Sequence, residues 1–239
     1  MLYNLNLEDV LFVDIETVPQ YPDYQEVPEK FQRLWDRKSE SFRGEGKPED
    51  VYERAGIYAE FGKIVCISAG VITQKKGERV YRVKSFYDDQ EKKLLASFND
   101  MLERFMSYPG RCLCAHNGQE FDYPFIARRT LISGMRLPNV LNMAGLKPWE
   151  MKDKLLDTLQ LWKFGDYKNY TSLNLLCAIF NIPTPKDDID GSQVARVYYR
   201  EGDLERIARY CEKDTLAVAN LLLRFRGEPI IESQNMEIA

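Results

Sequence analysis

Apolar and polar positions fall in blocks along the chain, and the period of each block predicts its element. The segment VLFVDIET, from Val10, is a β-branched and apolar run that breaks into acidic residues. That is the pattern of a buried strand reaching its C-terminal edge. GKIVCISAGVIT and ERVYRVKSFY read as two strands joined by a hairpin near Lys75, Lys76 and Gly77. In QEKKLLASFNDMLERFMSY, Leu94, Leu95, Phe98, Leu102, Phe105 and Met106 recur at helical spacing and form one apolar face. Pro109-Gly110 then breaks the chain before a further strand, RCLCAH. FDYPFIARRTLISG begins another helix, and Gly134 stands where it should stop. A loop with Pro138 and Pro148 leads to KLLDTLQLWKF. TSLNLLCAIFNI is a short helix capped by Thr171 or Ser172, and a last long helix covers Asp203 to Arg226 with Asp203 as its cap. Strands first, then helices mixed with a strand, suit an α/β fold: a mixed β-sheet with helices on both faces.

One stretch does not fit this alternation. From about Pro19 to Phe61 the chain is polar, charged and broken by Pro22, Pro28 and Pro48. Within it PEKFQRLWDRK predicts a short helix with Phe31, Leu34 and Trp35 on one side. An excursion of this length inside a compact domain reads as an insertion or a functional flap. The expectation is therefore one domain over residues 1–239 with a flap at about 19–61.

Composition narrows the function classes. Thirty-three basic against 37 acidic side chains give a formal charge of -4, which argues against coating duplex nucleic acid by bulk positive charge. An enzyme acting on nucleic acid stays open, because clustered carboxylates lower the count. The five cysteines mostly sit in apolar runs and there is one histidine, so buried thiols in a reducing compartment are expected and a structural zinc site is not. No signal-like leader and no apolar stretch of spanning length stand in the sequence, so a cytoplasmic protein with no membrane partner is expected.

The candidate chemistry lies in three places. Asp14 and Glu16 are two apart on a strand, so their carboxylates leave the same face, and like charges that close call for a cation or a proton between them. A hard divalent cation such as Mg²⁺ takes oxygen ligands and suits such a pair. Asn117 and Asp122 bracket a strand-to-helix turn, where Asp122 also suits the start of a helix. Tyr210 and Asp214 stand at i and i+4 on one face of the last helix.

Taken together, Asp14-Ile15-Glu16, Asn117 through Phe121-Asp122, and Tyr210 through Asp214 form three ordered motifs. In these the chain resembles the DEDD 3′-5′ exonucleases of the ribonuclease H-like superfamily, and within them the proofreading exonuclease domain of family-B DNA polymerases in a stand-alone form. The position that would carry histidine in the histidine branch is Arg209, so the resemblance is to the tyrosine branch. No polymerase module follows the third motif, and a stand-alone or partner-recruited nuclease of replication or repair is expected.

The resemblance implies a 3′-5′ exonuclease that hydrolyses single-stranded nucleic acid, DNA favoured, to 5′-mononucleotides. It implies two divalent cations, Mg²⁺ or Mn²⁺, held by Asp14, Glu16, Asp122 and Asp214, with Tyr210 orienting the attacking water. In that scheme two ions about 4 Å apart supply the nucleophile and steady the leaving oxygen. Thr17 and Asn117 would lie near the terminal nucleotide. Phe121 would stack on a base or serve as a core aromatic. His116 reads as a strand-end residue that orders Asn117 or is simply structural, and Asp157 as a helix cap or a hydrogen-bond partner near the site. The same residues would serve an exoribonuclease on RNA 3′ ends, or persist in a binding module that had lost turnover.

Overall fold

A computed structural model describes residues 2–166, 170–183 and 188–239. Six strands form one mixed sheet in the order β5-β4-β1-β2-β3-β6. The strands are β1 (Val10–Pro19), β2 (Gly62–Lys75), β3 (Glu78–Tyr87), β4 (Cys112–Ala115), β5 (Leu155–Asp157) and β6 (Met236–Ile238). β2 runs antiparallel to both β1 and β3, while β4 and β5 run parallel to β1 and β6 runs parallel to β3.

Both faces of the sheet are covered, and β1 shows why. Its side chains alternate, and Leu11, Val13 and Ile15 pack on one face under α2 (Glu91–Met106) and α3 (Asp122–Ile132). Leu94, Leu95, Phe98 and Leu102 of α2 are buried there, as the helical spacing predicts. Burying each such side chain stabilises the fold by about 1.5–3 kcal/mol. The other set, Val10, Phe12 and Val18, faces a long helix on the opposite side. That helix, Leu204–Phe225, follows α4 (Pro148–Met151), α5 (Thr158–Lys163), α6 (Leu173–Ile179) and α7 (Val194–Arg196); with α1 (Glu29–Ser39) it is α8. Asp14 and Glu16 belong to the same alternating set as Phe12, so the sheet aims both carboxylates at α8.

The caps follow the sequence closely. The Asp203 side chain accepts from Arg206 N–H at the start of α8, and the Ser172 side chain accepts from Leu175 N–H at the start of α6. Gly134 lies just past the end of α3 with a left-handed φ of 71°. Two three-residue strands, β5 and β6, have no counterpart in the sequence pattern. KLLDTLQLWKF divides into β5 and α5 at Asp157, whose side chain caps α5.

The 20–61 excursion has a small core of its own. Trp35 is fully buried among Val27, Tyr52 and Ala55, ringed by Phe42, Tyr58 and Phe61. Its indole N–H donates to the Pro48 carbonyl at 2.9 Å. Phe31 and Leu34, expected beside it, are 42% and 43% exposed, because the inner face of α1 continues through Ser39 instead. The ends of the excursion meet where Gln20 N–H donates to Phe61 O at 2.8 Å. All five cysteines are free and buried, as expected.

Candidate active site

The three motifs come from distant parts of the chain and meet at the middle of β1, which runs on past both acids to Pro19 rather than ending at them, just beyond the point where its pairing with β4 stops. Opposite Asp14 and Glu16 on the neighbouring strand stand Ser68 and Cys66, and the ladder shifts register between Glu16 and Thr17. A bulge beside a site re-aims the side chain that follows it. Thr17 is accordingly half-buried at the step. Above this stretch of β1, α8 presents Tyr210, Cys211 and Asp214 together, one helical turn covering all three. The Tyr210 hydroxyl donates to the Asp214 carboxylate.

Asp122 reaches the site from the other side. Pairing of β1 with β4 stops at Phe12 and Cys114. Beyond it, the chain turns sharply through Asn117, which takes a left-handed φ of 62° that asparagine tolerates. Gly118 follows in a place where a Cβ would sit 2.5 Å from the Ala115 Cβ. The turn delivers Asp122 to the first position of α3, where its carboxylate accepts from its own N–H and from Ile15 N–H.

Asp157 holds this turn in place. Its carboxylate accepts from Asn117 N–H at 2.8 Å, Gln119 N–H at 3.1 Å and Leu159 N–H at 2.9 Å. Both roles expected of Asp157, cap and neighbour to the site, therefore fall to one side chain. His116 is structural. Its Nε2 faces the Thr171 carbonyl at 2.9 Å and so carries the proton, while Nδ1 lies 2.9 Å from the Thr158 hydroxyl. Burial lowers its pKa, which keeps the ring neutral.

The acids are crowded and largely desolvated. Glu16, Asp122 and Asp214 are buried, and Asp14 alone keeps partial access to solvent. Burial, then Asp214 and Asp122, push the Asp14 carboxyl well above its ordinary range, and burial followed by Asp14 does the same to Glu16. Asp122 is pushed up to about 8, first by burial and then by Asp157 and Asp214, against the pull of its two N–H donors. Carboxylates crowded and desolvated this way are stable as anions only with positive charge among them. The oxygen-rich donor set fits a hard divalent cation. Among the described residues the buried Asn117 Oδ1 has no hydrogen-bond partner.

A family model described as a predicted 3′-5′ exonuclease related to the exonuclease domain of PolB matches residues 57–229. The chain belongs to this family. No curated protein matches the chain. The span matched by the exonuclease family carries Asn117, Asp122, Tyr210 and Asp214, whereas Asp14 and Glu16 lie N-terminal to it and join the site through the fold. The mixed α/β sheet is the ribonuclease H-like arrangement expected of such an exonuclease.

The remaining residues that the sequence singles out divide into those near the site and those elsewhere. Phe121 is half-buried with its ring against Phe125, 5.4 Å between centroids. Arg129 is a buried charge. It ion-pairs with Glu91 and donates to Ala59 O at 2.9 Å, clamping α3 to the base of the excursion. In the Asp187, Asp188, Asp190 run, Asp188 pairs with Arg206 and Asp190 accepts from Ser192, as a solvated turn would. Asp187 lies outside the described residues. One residue near the acids is not signalled by any motif: the Cys211 thiol donates to Asp14 Oδ2 at 3.3 Å and to Asp14 O at 3.4 Å. Its place between Tyr210 and Asp214 on the same helical turn is the one signal the sequence offers. Among the described residues no helix is long and apolar enough to cross a membrane.

Proposed function

We propose that this chain is a metal-dependent 3′-5′ exonuclease of single-stranded nucleic acid, with DNA the favoured substrate. The observation that carries the reading is the convergence of Asp14, Glu16, Asp122 and Asp214 on the middle of one strand, three of them buried. Asp14, Glu16 and Asp214 would hold one divalent cation, Mg²⁺ or Mn²⁺, and Asp14 with Asp122 a second. Such ions supply an acidified water and charge stabilisation at phosphorus and at the leaving oxygen.

The chain's own groups do the rest. Tyr210 commits its hydroxyl proton to Asp214, which leaves its oxygen lone pairs to accept a hydrogen bond from the attacking water. Burial, Asp214 and the other acids hold the phenol far above its ordinary pKa of 10, so it orients water without taking a proton. Asn117 and Thr17, both half-buried beside the acids, would receive the terminal nucleotide, and the half-exposed face of Phe121 would meet a base. The excursion at 19–61 acts as a flap on the same domain. It is tied to the segment before α8 where Tyr199 hydroxyl donates to Pro19 O at 2.5 Å and Arg200 pairs with Asp23.

Digestion of a 5′-labelled single strand tests the reading. With Mg²⁺ or Mn²⁺ the label should appear in a ladder shortening from the 3′ end, with 5′-mononucleotides released. DNA and RNA strands in one mixture report the sugar preference. An unshortened strand of both kinds would remove the exonuclease reading.

A further inference from the structure

Among the described residues, one group of three potential metal-ligand atoms lies within 4.8 Å of one another, and it includes a sulfur: Asp14, Glu16 and Cys211. The thiol is not a passing neighbour. It is buried on α8 beside Tyr210, and it donates to Asp14 at both the carboxylate and the backbone carbonyl. A second buried thiol, Cys66, stands on β2 opposite Glu16 and neighbours Cys211.

We propose that the site also binds a thiophilic divalent cation, Zn²⁺ or Cd²⁺, through Asp14, Glu16 and Cys211, and that this cation displaces the harder one that supports hydrolysis. The proposal rests on the reading of Asp14 and Glu16 as metal ligands given under Proposed function. A hard cation takes only the oxygens, and Cys211 stays protonated as a donor to Asp14. A softer cation exchanges the S–H bond for a metal–sulfur bond, and the proton leaves to solvent. Tetrahedral zinc, with oxygen at about 2.0–2.2 Å and sulfur at about 2.3 Å, sets its ligand atoms roughly 3.5 Å apart. Closing from the observed separations needs roughly an ångström of side-chain movement in a trio that is already gathered. With a thiolate on the cation and Asp14 committed to a tetrahedral set, the shared use of Asp14 by two hard cations is lost. The consequence is a nuclease that Zn²⁺ switches off and that regains activity with a hard cation once a chelator has removed the Zn²⁺.

Titration of the metal-free full chain with Cd²⁺, followed by the ultraviolet thiolate-to-cadmium absorption band, tests this without any assay of activity. The expected result is a band that saturates at one equivalent, is lost in Cys211→Ser and survives in Cys177→Ser, a buried position on α6. Cys211→Ser should weaken Cd²⁺ binding at least about a hundredfold and Mn²⁺ binding less than about threefold. Glu16→Gln, which should weaken the same band at least about tenfold, keeps the test decisive if Cys211→Ser does not fold. No band in the wild type, or a band that persists undiminished in Cys211→Ser, overturns the proposal. Mn²⁺-dependent digestion with no band would defeat the thiolate site and leave the exonuclease reading intact. A band in a protein that digests nothing would do the reverse.

Discussion

The backbone N–H of Asn117 donates to the Asp157 carboxylate at 2.8 Å, joining the turn after β4 to the start of α5. Two further N–H groups, of Gln119 and Leu159, end on the same acid. One side chain thus fixes the turn that presents both Asn117 and Asp122. Asp157→Ala leaves these buried donors unpaired and removes a helix cap, and is expected to cost about 2–4 kcal/mol in urea unfolding. Asp157→Asn keeps the shape and should lose less. Turnover should fall in Asp157→Ala with Mn²⁺ affinity held, since no proposed ligand is removed; equal stability of wild type and Asp157→Ala would contradict the assignment.

Stability should depend on pH in a direction set by the raised acids. Asp122 has its pKa lifted to about 8, so the folded protein keeps a proton there that the unfolded chain releases. Unfolding then releases protons, and stability falls as pH rises through that window. His116 is lowered by burial and neutral when folded, but half protonated in the unfolded chain at pH about 6.5, so it opposes the trend by only about 0.4 kcal/mol over the same interval. Metal-free protein is expected to lose at least about 2 kcal/mol between pH 6.5 and 8.5, at about 1.4 kcal/mol per unit per proton. Millimolar Mg²⁺ should raise Tm more at pH 8.5 than at 6.5, because it binds the ionised acids. Thermal melts at the two pH values, with and without metal, check both signs.

Tyr210→Phe removes a hydroxyl that donates to Asp214 and is proposed to accept from water. A loss of about 10–100-fold in kcat with little change in KM is expected. The wild-type rate should show no alkaline limb near the ordinary tyrosine pKa, since burial and Asp214 hold the phenol well above it. Steady-state kinetics across pH 7–10 decide the point.

The excursion's aromatic core gives a second handle. Trp35→Ala empties the centre of that core and should destabilise it by about 3–5 kcal/mol. Limited proteolysis should then cut within residues 20–61 before the sheet is touched, and KM for single strands should rise. Replacing the excursion by a short linker across the Gln20–Phe61 hydrogen bond should have the stronger effect. Unchanged kinetics on single strands after that deletion would end the flap proposal.

The parts of this molecule that were legible in the sequence are those governed by local period. Asp14 and Glu16 share a face because a strand repeats every two residues, and Tyr210 meets Asp214 because a helix returns every four. The caps at Ser172 and Asp203 follow from the same local chemistry. β5 and β6 are three residues each, too short for any period to register. The inner face of α1 depends on which side Trp35 finds its partners, and this is decided by Tyr52, Tyr58 and Phe61 downstream. Arg129 is buried because Glu91 and the Ala59 carbonyl meet it from other elements. The approach of Cys211 to Asp14 is set by the rotation of α8 over β1, across 197 residues of chain. Tertiary contacts decide each of these, and no local pattern encodes them.

The most direct test is a single comparison: wild type and Asp14→Asn, purified in parallel, acting on the same 3′-ended single strand with Mn²⁺. The substitution keeps the side chain's size and its acceptance from Cys211 while removing the charge proposed to meet both cations. Loss of a residue central to such a site is expected to cost at least about 10³-fold in rate. Relief of repulsion among the buried acids should leave the metal-free variant at least as stable as wild type. Digestion by wild type that is abolished in a folded Asp14→Asn protein is the predicted result; equal digestion by both, or by neither, would contradict the account.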